Sequence, residues 1–199
     1  MGLINADTGT VKINKDEISQ KNILHIRKNI GYVIQKGGLF PHLTAYQNVA
    51  LAAEYNNWSK DKISNRTSEL AELVSIDKDL LYRKPDQLSG GQAQRISLIR
   101  ALMLDPDFIL MDEPLGSIDP LVRYDLQTDL KQIFKSLHKT VLLVTHDLGE
   151  AAYLGDEIVL MKDGTIIQQD SIEQIMKNPK TPFVEQFVKA QRSPLSQFE

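Results

Sequence analysis

Residues 88–114 run LSGGQAQRISLIRALMLDPDFILMDEP. Ser89 precedes Gly90-Gly91, and Ile96, Ile99 and Met103 follow at steps of three and four, so the spacing predicts a helix that starts behind a serine cap and buries one stripe. Asp105-Pro106 ends it. Phe108 to Met111 is then a short unbroken apolar run that closes on two carboxylates, Asp112 and Glu113. Such a run reads as a strand buried on both faces, and it brings Asp112 out at its C-terminal end, where α/β sheets place ligands.

Working outward, Asp7-Thr8-Gly9 is turn chemistry and Val11 and Ile13 alternate with Lys12 and Asn14, which reads as turn and strand. Gly31 to Gln35 is a second short strand. From Ala45 to Ile76 the chain is polar and helix-forming, with Val49, Ala52, Ala53, Leu70, Leu73 and Val74 at helical spacing. Pro120 opens an amphipathic helix carrying Val122, Leu126, Leu130, Ile133 and Leu137 on one face. Val141 to Val144 reads as another buried strand. A helix from Leu148 leads to a strand over Glu157 to Met161, and Asp163-Gly164 turns it into Ile166-Ile167 as a hairpin. Helical segments near Ser171 to Met176 and Phe183 to Ala190 are divided by Pro179 and Pro182. Strands alternating with helices predict a largely parallel α/β sheet interrupted by a helical insertion.

Composition narrows the function classes. The chain of 199 residues, 42% hydrophobic and 25% charged, is long enough to bury a core. A net charge of −3 implies no broad attraction to nucleic acid, which is not an expected partner. The absence of cysteine excludes disulfides and thiolate metal sites. No apolar run approaches the about 20 residues that cross a bilayer, so the chain is not expected to span one. Met1-Gly2 followed by Leu3-Ile4 shows no secretory signal, and Leu3 and Ile4 are expected to pack as core.

Taken one at a time, the motifs have bland readings. Ser89-Gly90-Gly91 is also an ordinary capped turn, an acidic pair after an apolar strand is common, Asp119 before Pro120 is a helix start, and a histidine at a strand end is more often structural. Their order along the chain is what changes the reading. Leu88 to Gln92 with Arg95 resembles the signature motif of ABC ATPases. Phe108 to Glu113 resembles that family's Walker B strand, and Gly116 to Pro120 its D-loop. Thr145-His146-Asp147 resembles its switch histidine, and Gln35 with Gly38 to Thr44 its Q-loop.

The resemblance covers essentially the whole chain and implies a fold and a set of roles. The fold class expected is α/β, a P-loop NTPase-like ABC ATPase core with a helical subdomain, lacking the N-terminal strands and the Walker A helix. It would form one domain over residues 1–199, with a helical subdomain at 44–104, the catalytic core remainder at 105–170 and a helical tail at 171–199. Asp112 and Gln35 would help hold Mg²⁺, Glu113 would polarise the attacking water as general base, and His146 would contact the γ-phosphate of ATP. Ser89, Gly90, Gly91 and Gln92 would bind the nucleotide held by a second ABC ATPase subunit, toward which Asp119 would also reach. The further partners implied are membrane permease subunits and, indirectly, a solute-binding protein, with the chain peripheral on the cytoplasmic face of the membrane. Gly31 to Gln35, Gly38 to His42, and Asp119 to Arg123 with Leu126-Gln127 look most like bacterial importers of glycine betaine, proline, choline and related osmoprotectants. Two mild departures are Ala93, where glutamine is usual, and Ser117-Ile118, where Ala-Leu is usual.

The pattern G-x-x-x-x-G-K-[ST] does not occur in the sequence. Gly2-Leu3-Ile4 with Thr8 to Ile13 resembles the segment that follows the P-loop helix, so that element is expected N-terminal to Met1. Without its lysine and its cradle of N–H groups these 199 residues alone are expected to bind ATP very weakly, to be inactive, and to expose apolar surface that favours self-association. A shortened reading of a longer gene, a natural truncated product and a partly degenerate subunit remain open, the intact Glu113 and His146 favouring the first. A soluble ABC clamp of DNA repair or translation and a non-catalytic subunit are the alternatives from other classes.

Overall fold

A computed structural model describes residues 2–35, 37–116 and 119–191. It divides into two compact units between Val144 and Thr145.

The first unit opens with a two-residue ribbon, β1 (Lys12–Ile13) against β2 (Asp16–Glu17), and a short helix α1 (Ile23–Lys28). A parallel sheet follows in the order β3 (Ile30–Val33), β4 (Phe108–Asp112), β5 (Thr140–Val144). Its register sets Gly31 beside Ile109, Ile109 beside Val141, and Asp112 beside Val144. Between β3 and β4 lie the helices α2 (Ala45–Tyr55), α3 (Lys60–Leu73) and α4 (Gly90–Leu102), and α5 (Pro120–Leu137) makes the crossover to β5.

Each of these helices starts where its sequence says it should. Thr44 and Ser89 form capping boxes with Gln47 and Gln92, and Ser59 accepts from the Lys62 amide. The small buried residues Ala45, Ala50 and Ala53 let α2 pack closely on α4, which buries Ile96, Leu98, Ile99 and Leu102. Each such side chain contributes about 1.5–3 kcal/mol of transfer free energy. Helix α4 also lies close on the sheet. A Cβ added at Gly31 would meet the Ala101 carbonyl oxygen at 2.6 Å, so only glycine allows that approach.

Three expectations from the sequence are corrected here. Leu3 and Ile4 are 75% and 90% exposed, not core, because the ribbon that follows them is too short to build an apolar surface over them. The β5 strand is not buried: Leu142 and Val144 are 52% and 54% exposed. Nor is β4 buried on both faces, since Ile109 and Met111 are fully buried while Phe108, Leu110 and Asp112 are only half-buried. The cause is shared. Helices α4 and α5 pack on the face that carries Met111, where Leu98, Leu126 and Leu130 meet it, while Tyr32, Leu142 and Val144 lie on the other face, which is open. This is exposed apolar surface of the kind expected above.

The second unit contains α6 (Leu148–Leu154), the antiparallel hairpin of β6 (Ile158–Lys162) and β7 (Thr165–Asp170), α7 (Ile172–Lys177) and α8 (Pro182–Ala190). Asp163 and Gly164 both take positive φ, 49° and 75°, which is the geometry of a two-residue hairpin turn. Thr181 caps α8 with Pro182 in its first turn. Leu148, Ile158, Leu160, Ile175, Val184 and Val188 form the core.

Candidate functional site at the end of the parallel sheet

The ladder of β4 runs one bond past the strand: the Glu113 N–H donates to the Val144 carbonyl at 2.9 Å. Glu113 itself takes φ 42°, a left-handed conformation that a residue with a side chain adopts at a cost. The chain turns there, and the Gly116 N–H returns to the Glu113 carbonyl at 3.3 Å over the fully buried Leu115. A Cβ at Gly116 would stand 3.1 Å from Glu113 Oε2, so glycine leaves room for the carboxylate. Gln35, just beyond β3, reaches this carboxylate: its Nε2 donates to Glu113 Oε2 at 3.1 Å. The turn therefore gathers Gln35, Asp112 and Glu113 around the C-terminal ends of two neighbouring strands.

Residues 37–43 have no regular structure, yet side chains hold their main chain at several points. The Gly37 carbonyl accepts from Ser97 Oγ at 2.7 Å and from Arg100 Nη2 at 3.0 Å, and the Gly38 carbonyl accepts from Arg100 Nη1 at 2.8 Å. Burial lowers the Arg100 pKa by desolvation. Farther on, Asn48, fully buried in α2, accepts from the Phe40 N–H at 2.7 Å and donates to the carbonyls of Phe40, Leu43 and Thr44. Gly37 and Gly38 are both left-handed, with φ 73° and 53°.

At the start of α4, Ser89 and Gln92 are paired with each other. Ser89 Oγ accepts from the Gln92 amide, and Gln92 Oε1 accepts from the Ser89 amide. The first-turn N–H groups of Gly90 and Gly91 have no helical partner by position, and space beside the Gly90 Cα is open for 4 Å. Arg95, one turn on, donates to the Val74 carbonyl at 2.7 Å and pairs with Asp129, tying α3 and α5 to α4. Asp119 is exposed and its carbonyl receives the Arg123 amide at the start of α5; Ser117 and Ile118 of the same motif lie outside the described residues.

His146 belongs to the second unit and is exposed. Its neighbours fix the turn around it. Thr145 Oγ1 donates to Glu150 Oε2 at 2.7 Å and accepts from the Asp147 amide, while Asp147 Oδ1 caps α6 through the Glu150 amide.

The sequence profile described as ABC transporter matches residues 1–116. The chain belongs to the ABC transporter family.

Relatives within the family sharpen this. The carnitine transport ATP-binding protein OpuCA of Listeria monocytogenes is 45% identical over 94% of the chain, and the glycine betaine/carnitine/choline transport ATP-binding protein OpuCA of Bacillus subtilis is 43% identical over 96%. The glycine betaine uptake system ATP-binding protein YehX of Escherichia coli is 40% identical over 93%. The matches cover 47%, 50% and 60% of those proteins, so the chain spans about half the length of the curated relatives it matches. Among solved structures, CbiO1 from Clostridium perfringens, part of the ABC transporter complex CbiONQ, aligns with a TM-score of 0.80 at 26% identity, covering 90% of this chain and 72% of that one. The dimeric post-hydrolysis cassette MJ0796 with ADP and phosphate gives 0.72 at 31%, covering 83% and 74%. The α/β architecture with a helical region between β3 and β4 is thus that of an ABC ATPase cassette.

In this ABC cassette, sequence reasoning missed Ser97, Arg100 and Asn48. Asn48 did leave a signal, a polar residue among the alanines and valine of an otherwise apolar helix face. Arg100 left none, because its partners are main-chain atoms far away in sequence.

Proposed function

We propose that the protein containing this chain is the ATP-hydrolysing subunit of an ABC importer for a small osmoprotectant such as glycine betaine, carnitine, choline or proline. The observation that carries the reading is the Gln35 Nε2 to Glu113 Oε2 bond of 3.1 Å at the ends of adjacent parallel strands, in a chain whose relatives are named for transport of those solutes.

In this reading Glu113 accepts a proton from the attacking water, and Gln35 orients both the carboxylate and the water. Asp112 and the Gln35 amide oxygen are hard oxygen donors. Two such groups suit Mg²⁺, which takes one or two protein ligands and completes its shell with water and phosphate; among the described residues no cluster of three or more His, Asp or Glu side chains could hold a metal by itself. When bound with ATP, the ion neutralises charge on the β- and γ-phosphates. For the triphosphate the fit is partial, since the sequence holds no G-x-x-x-x-G-K-[ST] cradle, and the 199 residues alone are proposed to be inactive.

Ser89, Gly90 and Gly91 offer N–H groups at the positive end of α4 to the nucleotide of a second cassette, with Gln92 holding the serine in place. Asp119 reaches toward the same partner. His146 contacts the γ-phosphate. The segment from Gly38 to Thr44, with Phe40 44% exposed, docks on the permease subunits, which places the protein at the cytoplasmic face of the membrane and in indirect contact with a solute-binding protein. The domain division proposed is a helical subdomain over 44–104, a core remainder over 105–170 and a tail over 171–199.

A second reading is a non-catalytic subunit whose Ser89–Gln92 segment, capped and open beside Gly90, serves a competent partner. Magnesium-dependent ATP hydrolysis by the full-length protein separates the two. Glu113→Gln should lower turnover by about 10²-fold or more with ATP binding retained. A full-length protein that binds ATP but turns over no faster than its Glu113→Gln variant is the non-catalytic subunit.

A further inference from the structure

The Gln35 segment has two anchors on the helical region. Asn48 holds its far end, at Phe40 to Thr44, onto α2. Its near end, next to Gln35 itself, is held by α4 through three donors on two consecutive carbonyls. The chemistry of the near anchor is unusual. A guanidinium drawn partly out of water normally faces a carboxylate, because desolvating a charge without compensation is costly. Among the described residues no carboxylate pairs with Arg100; the oxygens that compensate it are those of Gly37 and Gly38. Arg100 therefore has a strong preference for one placement of this loop. The planar fork also fixes the angle between the two carbonyls, which an ammonium could not do. Both glycines are left-handed, and at Gly38 an added Cβ would lie 1.9 Å from Ile34 Cδ1, so the backbone there is shaped to deliver its carbonyls to the clamp.

We propose that Arg100, assisted by Ser97, is a positioning residue for Gln35: it fastens the Gln35 loop to α4, so that the helix headed by Ser89-Gly90-Gly91 and the glutamine that meets Glu113 move as one body. The proposal rests on the reading of Gln35 as an active-site group. In this proposal Arg100 is not itself a contact to nucleotide or water. It acts by limiting where Gln35 can be, so it governs how often the Gln35–Glu113 pair is assembled and leaves nucleotide affinity alone.

The test is hydrogen exchange on the full-length protein, read peptide by peptide, alongside steady-state turnover with Mg²⁺ and ATP. In Arg100→Met, amides of residues 37–43 should exchange about tenfold faster, while those of α4 and β4 stay within about twofold. Arg100→Lys should be intermediate, and Ser97→Ala should raise exchange in the same segment by less. Turnover should show kcat lowered about tenfold in Arg100→Met with KM for ATP within about twofold, and partial rescue in Arg100→Lys. Unchanged exchange over 37–43 overturns the proposal, as does a uniform rise across the unit, which would make Arg100 a packing residue. A loss of kcat without a change in loop exchange also overturns it. Should Arg100→Met fail to fold, Ser97→Ala and Arg100→Lys decide by the same criteria. If the wild-type protein shows no turnover, the enzymatic reading fails, and the exchange data still decide whether the clamp exists.

Discussion

Gln35 and Glu113, 78 residues apart in sequence, share a hydrogen bond at the ends of adjacent parallel strands, and the second of them holds a left-handed backbone to do so. Two groups that act through one contact should not act additively. Gln35→Ala and Glu113→Gln are each expected to lower kcat in the full-length protein, and the double variant should fall by little more than Glu113→Gln alone. Independent, multiplying losses in a double-mutant cycle would show that the bond has no part in turnover.

At the head of α4, stability and activity should separate. Space beside Gly90 is open for 4 Å, so Gly90→Asp meets no clash, and a carboxylate in a helix's first turn adds about 0.5 kcal/mol of favourable dipole interaction. The thermal midpoint should hold or rise slightly while ATP turnover collapses, because the new charge stands where phosphate would approach. A variant with full turnover would remove Gly90 from the nucleotide interface.

Close approach of α4 to the sheet gives a purely structural prediction. At Gly31 a Cβ would face the Ala101 carbonyl oxygen at 2.6 Å and Pro106 Cγ at 3.1 Å, and a main-chain oxygen has little room to give. Gly31→Ala should cost about 1–3 kcal/mol in denaturant unfolding. Gly90→Ala, with no neighbour to strike, should stay within about 0.5 kcal/mol of wild type and serves as the reference.

In the second unit one buried amide does the work of several contacts. Gln168, 2% exposed, accepts from the Lys180 amide at 2.9 Å and donates to the Asn178 carbonyl and the Asp170 carboxylate at 3.2 Å each, pinning the turn between α7 and α8 to β7. Gln168→Leu should lower stability by about 1–3 kcal/mol, read by chemical unfolding. Exchange of the Lys180 amide should quicken in the same variant, and an unchanged rate there would show that the amide is held by something else.

The open sheet face is a liability for these 199 residues. Leu142→Lys, at a side chain 52% exposed, should reduce self-association measured by sedimentation velocity without lowering the melting temperature. An unchanged distribution of species would locate the association elsewhere.

Much of this architecture was legible in local patterns. The Phe108 to Asp112 run, the Ser89 cap and the Asp163-Gly164 turn are each specified by residues within one or two turns of one another, and each appears where the sequence puts it. Burial was less legible. Val141 to Val144 is as apolar as a buried strand should be, but periodicity records what a strand can bury and is silent on whether a neighbouring layer is there to bury it. Leu3 and Ile4 failed for the same reason. In the candidate site, Gln35, Glu113 and Ser89 stood out by motif, whereas Arg100 did not. An arginine between Ile99 and Ala101 looks like any helix cation until the fold brings two glycine carbonyls from the other side of the helical region to it.

The separation of Gln35 from Glu113 also has a temporal meaning. A ribosome adding about 5–20 residues per second makes the glutamine roughly 4–16 s before the carboxylate that receives its hydrogen bond. During that interval β3 has been synthesised but β4, its sheet neighbour among the described residues, has not, and the strand's apolar residues wait with the helices α2 to α4 folding beside them. A nascent chain of this kind relies on those local helices, and on whatever shields the growing end, to keep the edge of β3 that will receive β4 from finding a partner on another molecule.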